Sequence, residues 1–195
     1  MATNRPRVYV CACCFIELVK QAVGKALEAG RDDEVWFIDQ LLKANLDGEI
    51  DVYTSTLTIA ECTHVGDENI TDEVRNLFVR FLTSGQYVTL VEPDVFVAED
   101  ARDLRWKHGI PLSGADALHV ASGLSVECKE FLTLDDKRKG PLQQRSKIAA
   151  LGMTVIKPSQ TGLLSDERRQ TSMVGAPTIS SAETASRQKS KRRRS

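Results

Sequence analysis

The sequence has no apolar run of the roughly 18 to 20 residues a membrane-crossing helix needs, and the stretch before Glu17 is too short in apolar residues for a secretory leader. Cytoplasmic action is therefore expected, with no membrane partner. Cysteines number five, at 11, 13, 14, 62 and 128, an odd set without repeating pair spacing. That excludes a disulfide framework and a zinc-finger pattern, and reduced thiols are the expectation. Aromatic residues make 6% of the chain, apolar residues 42% and charged residues 27%. The balance is that of a globular protein with a sizeable core.

At 195 residues the chain suits one domain with an appendage. The net charge of −1 conceals an asymmetry. Residues 159–195 carry eight Lys/Arg against three acids, so the first 158 residues hold a net −6. We therefore expect a folded unit over 1–158 and a disordered basic tail over 159–195, whose Ser, Thr, Gln and Arg bury too little to offset ordering entropy.

Within the folded unit the apolar pattern alternates between strand and helix. RVYV opens a strand over about 7–11, and the apolar set from Ile16 to Leu42 gives a helix broken between 24 and 32. IDVYTS (50–55) reads as a strand running directly into a helix over 56–65. TDEVRNLFVRFL places Val74, Leu77, Phe78, Phe81 and Leu82 on one helical face. Further strands are expected at 87–92, 130–134 and MTVIKP, with helices from Pro93 to Gly109, over 113–124 and over 142–151. Parallel strands need crossover helices, so the expected class is a three-layer α/β/α domain around a parallel sheet.

In such sheets ligands bind outside the carboxyl ends of the strands. Glu61 follows the second strand, Asp116 opens the helix after Pro111, and Asp135 ends EFLTL, so all three acids fall on that edge. Clustered carboxylates repel one another and call for a hard divalent cation, Mg²⁺ or Mn²⁺, of the kind that promotes phosphodiester hydrolysis. Each acid also has a plainer role. Asp116 stands three residues after Ser113, at capping-box spacing, and Asp135 with Asp136 suits a turn. Glu61 sits among Ile59, Ala60 and Cys62, where an unpartnered acid is costly. His119 shares a helix face with Asp116, either near a scissile phosphate or packed as an ordinary core ring.

VYVCACCFI, TLTIAE, GADALHVA and FLTLDDK, in that order and spacing, resemble the PIN-domain family over about 150 residues. The resemblance implies a doubly wound sheet, a metal-dependent endoribonuclease cleaving RNA, and in many bacterial members a toxin held by an antitoxin. It implies Glu61, Asp116 and Asp135 as catalytic metal ligands, with Cys11 at the position of the first ligand. Thr133 and Asp136 then support the site. Family habit also points to a homodimer through the apolar face of 71–84. The departure is Cys11, where the family carries an acid, because a thiol is mostly protonated at neutral pH and suits zinc better than magnesium. Two alternatives follow from it. One is a catalytically degenerate module that binds RNA or a protein partner, and the other is a thiolate zinc site built from Cys11 with Cys13, Cys62 or His64. A phosphoryl-transfer receiver domain is disfavoured, since the first strand lacks paired acids. The terminal KSKRRRS, with Lys189, Lys191, Arg192, Arg193 and Arg194, is a candidate phosphate contact without base specificity.

Overall fold

The computed structural model describes residues 5–66 and 70–170. Five parallel strands, β1 (Arg7–Val10), β2 (Asp51–Ser55), β3 (Thr89–Val91), β4 (Glu130–Leu132) and β5 (Thr154–Ile156), form one sheet in the order β3-β2-β1-β4-β5. Helices α1 (Ala12–Ala22), α2 (Asp32–Leu46), α3 (Thr56–Glu61), α4 (Asp72–Phe78), α5 (Val95–Trp106), α6 (Gly114–Ser125), α7 (Arg145–Ala149) and α8 (Asp166–Gln170) complete the described chain. Among the described residues no helix is long and apolar enough to cross a membrane.

The period-two alternation of β1 divides the interior. Val8 and Val10 enter one core with Phe15, Leu18, Ile38, Leu41 and Leu42 of α1 and α2, while Tyr9 and Cys11 enter another with Leu104, Val120 and Phe131. β1 is thus covered on both faces. The chain first winds outward through β2 and β3, then crosses back so that β4 lies on the other side of β1. The strand order reverses between β1 and β4, and a crevice opens at their carboxyl ends.

Two glycines fix the elements around that crevice. A Cβ on Gly123 would stand 2.9 Å from Met153 Sδ and 3.3 Å from Tyr9 Cβ, so α6 lies directly against the sheet. A Cβ on Gly140 would meet the Asp135 and Lys137 carbonyls at 3.2 Å, so the loop after β4 folds tightly back on itself.

Several expectations change at the boundaries. The helix expected over 56–65 stops at Glu61, and the one expected over 71–84 passes at Val79 into a wider π-helical turn through Thr83. The segment 142–151 is a short 3-10 turn followed by the five-residue α7. The largest correction concerns the tail, because residues 159–170 are packed on the domain rather than disordered. Thr161 is fully buried and Leu164 nearly so. The Thr161 hydroxyl donates to Glu130 at 2.5 Å, the Gly162 N–H donates to the same carboxylate at 2.7 Å, and Arg168 pairs with Asp47 and Glu49. Two leucines and these polar bonds are too few to register as helical periodicity, yet they are enough to hold the segment. The basic cluster Lys189 to Arg194 lies outside the described residues.

Candidate active site

A cavity of about 540 Å³ opens at the carboxyl edge between β1 and β4. Cys11 and Cys13 line it from the β1–α1 junction, Glu61 from the end of α3, Asp116 and His119 from α6, and Asp135 from the loop after β4. The expected acids are thereby brought into one pocket. Lys137 and Lys139 stand on its rim.

Asp116 holds the third position of α6, where the Ser113 hydroxyl caps the helix by accepting the Asp116 N–H at 3.2 Å. The same hydroxyl donates to Asp116 Oδ2 at 2.6 Å, so capping and site roles coincide in one residue. Burial, and then the charge of Asp135, raise the Asp116 carboxyl above its usual pKa, with Glu61 adding to the repulsion. Asp116 therefore senses both other acids.

Asp135 is held by its own loop. Its N–H donates to the buried Thr133 hydroxyl at 3.1 Å, its Oδ1 accepts the Lys137 N–H at 3.0 Å, and the Lys137 ammonium lies 3.4 Å from Oδ2. Thr133 thus supports the loop. Asp136 does not face this pocket; it borders a neighbouring depression with Gln143, Arg145 and Lys157. Adjacent residues of a turn project in different directions, so one of the pair had to turn away.

His119 is buried at 1% exposure beneath Glu61, with its Nε2 2.7 Å from Glu61 Oε2. Its Nδ1 lies 2.7 Å from the Tyr9 hydroxyl and 3.3 Å from the Ser55 hydroxyl. Burial pushes the Tyr9 phenol far up, so it stays protonated, and it is assigned as the donor to Nδ1. Nε2 then carries the ring hydrogen and donates to Glu61, a tautomer assigned from this network. His119 orients Glu61 from below. Spacing on α6 suggested a link to Asp116; Tyr9 and Ser55, which come from other strands, carried no sequence signal.

Cys11, at 8% exposure, ends β1 against β4 through its N–H to the Leu132 carbonyl at 3.0 Å. The neighbouring Cys13 sulfur, and then burial, hold the Cys11 thiol well above its ordinary pKa. It is held as a neutral thiol at the mouth of the pocket. His64 and Cys62 do not complete a thiolate site with it, since His64 is exposed and bonds the Gly66 N–H, and neither lines the pocket.

No three His, Cys, Asp or Glu side chains among the described residues are arranged to hold an ion. The donor set is nevertheless chemically suited to a hard, hydrated one: Mg²⁺ typically keeps several waters and uses one or two carboxylates. Asp116 and Asp135, two like charges repelling each other in one pocket, supply that pair.

Against known proteins, a family model described as the PIN domain matches residues 12–139, which span every pocket residue named above except Cys11. No curated protein and no solved structure matches the chain.

Proposed function

The chain belongs to the PIN-domain family, and from that premise we propose that it is a divalent-cation-dependent endoribonuclease acting at the pocket between β1 and β4. The observation that carries this reading is the gathering of Glu61, Asp116 and Asp135 in one pocket, where Asp135 and Glu61 both oppose the charge on Asp116. A folded chain tolerates such repulsion where a cation relieves it.

Asp116 and Asp135 would hold the cation, Mg²⁺ or Mn²⁺. When bound, it would lower the pKa of a coordinated water and neutralise charge on the phosphodiester. The chain's own residues do the rest. Ser113 fixes one carboxylate oxygen of Asp116, leaving the other for the pocket. Thr133 and the backbone of Lys137 hold the loop that presents Asp135. His119, itself set by Tyr9, fixes one oxygen of Glu61, and in this reading the other oxygen accepts a proton from an attacking water. Lys137 and Lys139 on the rim place positive charge where an RNA backbone would enter.

A second reading is favoured by Cys11, whose protonated thiol removes an acid the family uses, leaving a module that binds RNA without cleaving it. Cleavage of a mixed RNA by the parent, Cys11→Asp and Asp116→Asn, each with Mn²⁺, separates the two. Parent activity that disappears in Asp116→Asn supports the nuclease. An inert parent revived by Cys11→Asp supports a scaffold disarmed at one position, and inactivity in all three together with retained RNA binding supports the module.

A further inference from the structure

The positive charge of the domain is gathered in one stretch. Residues 136–157 carry six Lys/Arg against one acid, whereas residues 1–135 carry twelve against 23. Many cations of the acidic part are taken up in ion pairs, among them Arg5 with Asp51, Arg75 with Asp72 and Lys107 with Asp103. In the basic stretch Lys137 pairs with Asp135 and Lys147 donates to the Gly109 carbonyl, but Arg138, Lys139, Arg145 and Lys157 join no ion pair among the described residues. Unneutralised cations grouped on an otherwise acidic domain attract an anion from outside.

Two of these four cations line a depression of about 660 Å³, Arg145 from the start of α7 and Lys157 from the residue after β5. Gln143 and Gln160 add amides, and the half-buried Leu142 adds an apolar surface. The loop after β4 borders both this depression and the pocket between β1 and β4: Asp135, Lys137, Lys139 and Gly140 line the pocket, and Asp136 lines the depression. The loop is tightly turned, with the Gly140 N–H donating to the Lys137 carbonyl at 2.8 Å and the Gln143 amide donating to the Asp136 carbonyl at 3.4 Å. Cations for a phosphate, an apolar surface for a base and amides for its edge are what one nucleotide of a single strand requires.

We propose that the depression is a second nucleotide subsite: a single-stranded RNA crosses the loop after β4, with the reacting phosphate in the first pocket and a flanking phosphate held by Arg145 and Lys157. The inference rests on the nuclease reading for its ligand, RNA, and deepens it by assigning the path of the strand. The planar fork of Arg145 suits two phosphate oxygens at once, and Lys157 adds a point charge. Lys137 and Lys139 stand on the loop between the two cavities, so positive charge is continuous along that path. Asp136 is the one acid lining the depression, and the two cations there outnumber it.

The full chain is titrated, with Ca²⁺ present to hold back cleavage, against a labelled dinucleotide and a labelled single-stranded RNA of about twelve nucleotides, and anisotropy is read at several salt concentrations. Arg145→Gln combined with Lys157→Gln should weaken binding of the longer strand about tenfold and lower its salt slope by about 1.4, while dinucleotide binding shifts less than about twofold. Arg105→Gln combined with Lys129→Gln removes the same charge at two exposed positions outside both cavities, and should change neither by more than about twofold. Arg145→Gln alone, at an exposed position, should give about half the slope change, so the test stands even where the pair disturbs the fold. Equal losses in the two double variants, an unweakened longer strand, or a dinucleotide weakened as much as the longer strand overturns the subsite. The two readings fail separately. A parent that shows this length dependence yet cleaves nothing with Mn²⁺ overturns the nuclease and upholds the path; a parent that cleaves, with Arg145 and Lys157 dispensable for the longer strand, overturns the path alone. A parent that binds no RNA overturns both.

Discussion

Two sets of buried or half-buried acids in this molecule behave differently. Glu34 and Glu130 are the first set. Glu34 accepts the Ser159 N–H and hydroxyl, both at 2.8 Å, and Glu130 accepts the Thr161 hydroxyl and the Gly162 N–H. In each, both carboxylate oxygens are occupied by neutral donors, and the result fastens residues 159–162 to the sheet and α2. Glu61, Asp116 and Asp135 are the second set, gathered at the pocket. Asp116 has only a self-made cap on one oxygen, Glu61 has His119 on one oxygen, and both face a cavity. Acids whose oxygens are filled by neutral donors act as fasteners; acids grouped around a cavity, with an oxygen to spare on Glu61 and Asp116 and only the exposed Lys137 on Asp135, form a site waiting for charge from outside.

The comparison breaks most visibly by neutralising one acid from each set. Asp116→Asn should lower RNA cleavage on the order of a hundredfold or more, the scale of removing a group that stabilises transition-state charge. Its fold should be intact by circular dichroism, and Mn²⁺ binding followed calorimetrically should vanish. Retained Mn²⁺ affinity would move the cation site elsewhere.

Glu130→Ala should do the reverse. It strands the Thr161 hydroxyl and the Gly162 N–H and removes two bonds to a carboxylate, for a loss of about 2 to 4 kcal/mol in urea unfolding. Metal binding per folded molecule should be unchanged. A mutant of full stability would show that residues 159–162 do not depend on this acid.

A smaller effect concerns the rim. Replacing both Lys137 and Lys139 with Gln should weaken RNA binding and reduce the salt slope by up to about 2, one for each phosphate no longer neutralised. Fluorescence anisotropy at several salt concentrations reads this directly, and an unchanged slope would take the basic loop out of the RNA path.

The smallest effect is on stability against pH. Asp116 has a folded pKa raised above its ordinary 3.8, so the folded state keeps this proton longer than the unfolded state does. Its contribution to stability is therefore largest at acid pH and is lost as pH rises from about that value through the raised one. Asp116→Asn should flatten that fall and leave the apo protein slightly more stable than the parent at neutral pH. Thermal melts of both proteins across pH 3 to about 7 test the sign, and saturating Mn²⁺ should restore the parent alone.

Much of this was legible in the residues. Alternating apolar runs set the order of strands and helices, because period two and period 3.6 bury different faces. The order of VYVCACCFI, TLTIAE, GADALHVA and FLTLDDK pointed to the family that the match over 12–139 shows. Glu61 and Asp135 were selected by a topological rule, which requires only that each follow a strand on the correct edge, and Asp116 by its place at the start of the helix after Pro111. Tertiary structure decided what proximity along the chain does not encode. It set His119 under Glu61 through Tyr9, it turned Asp136 away from its neighbour, and it tied residues 159–170 to Glu130, Asp47 and Glu49. Strands and helices arise from local pattern, whereas a side chain's partners, exposure and charge are fixed only when distant segments close around it.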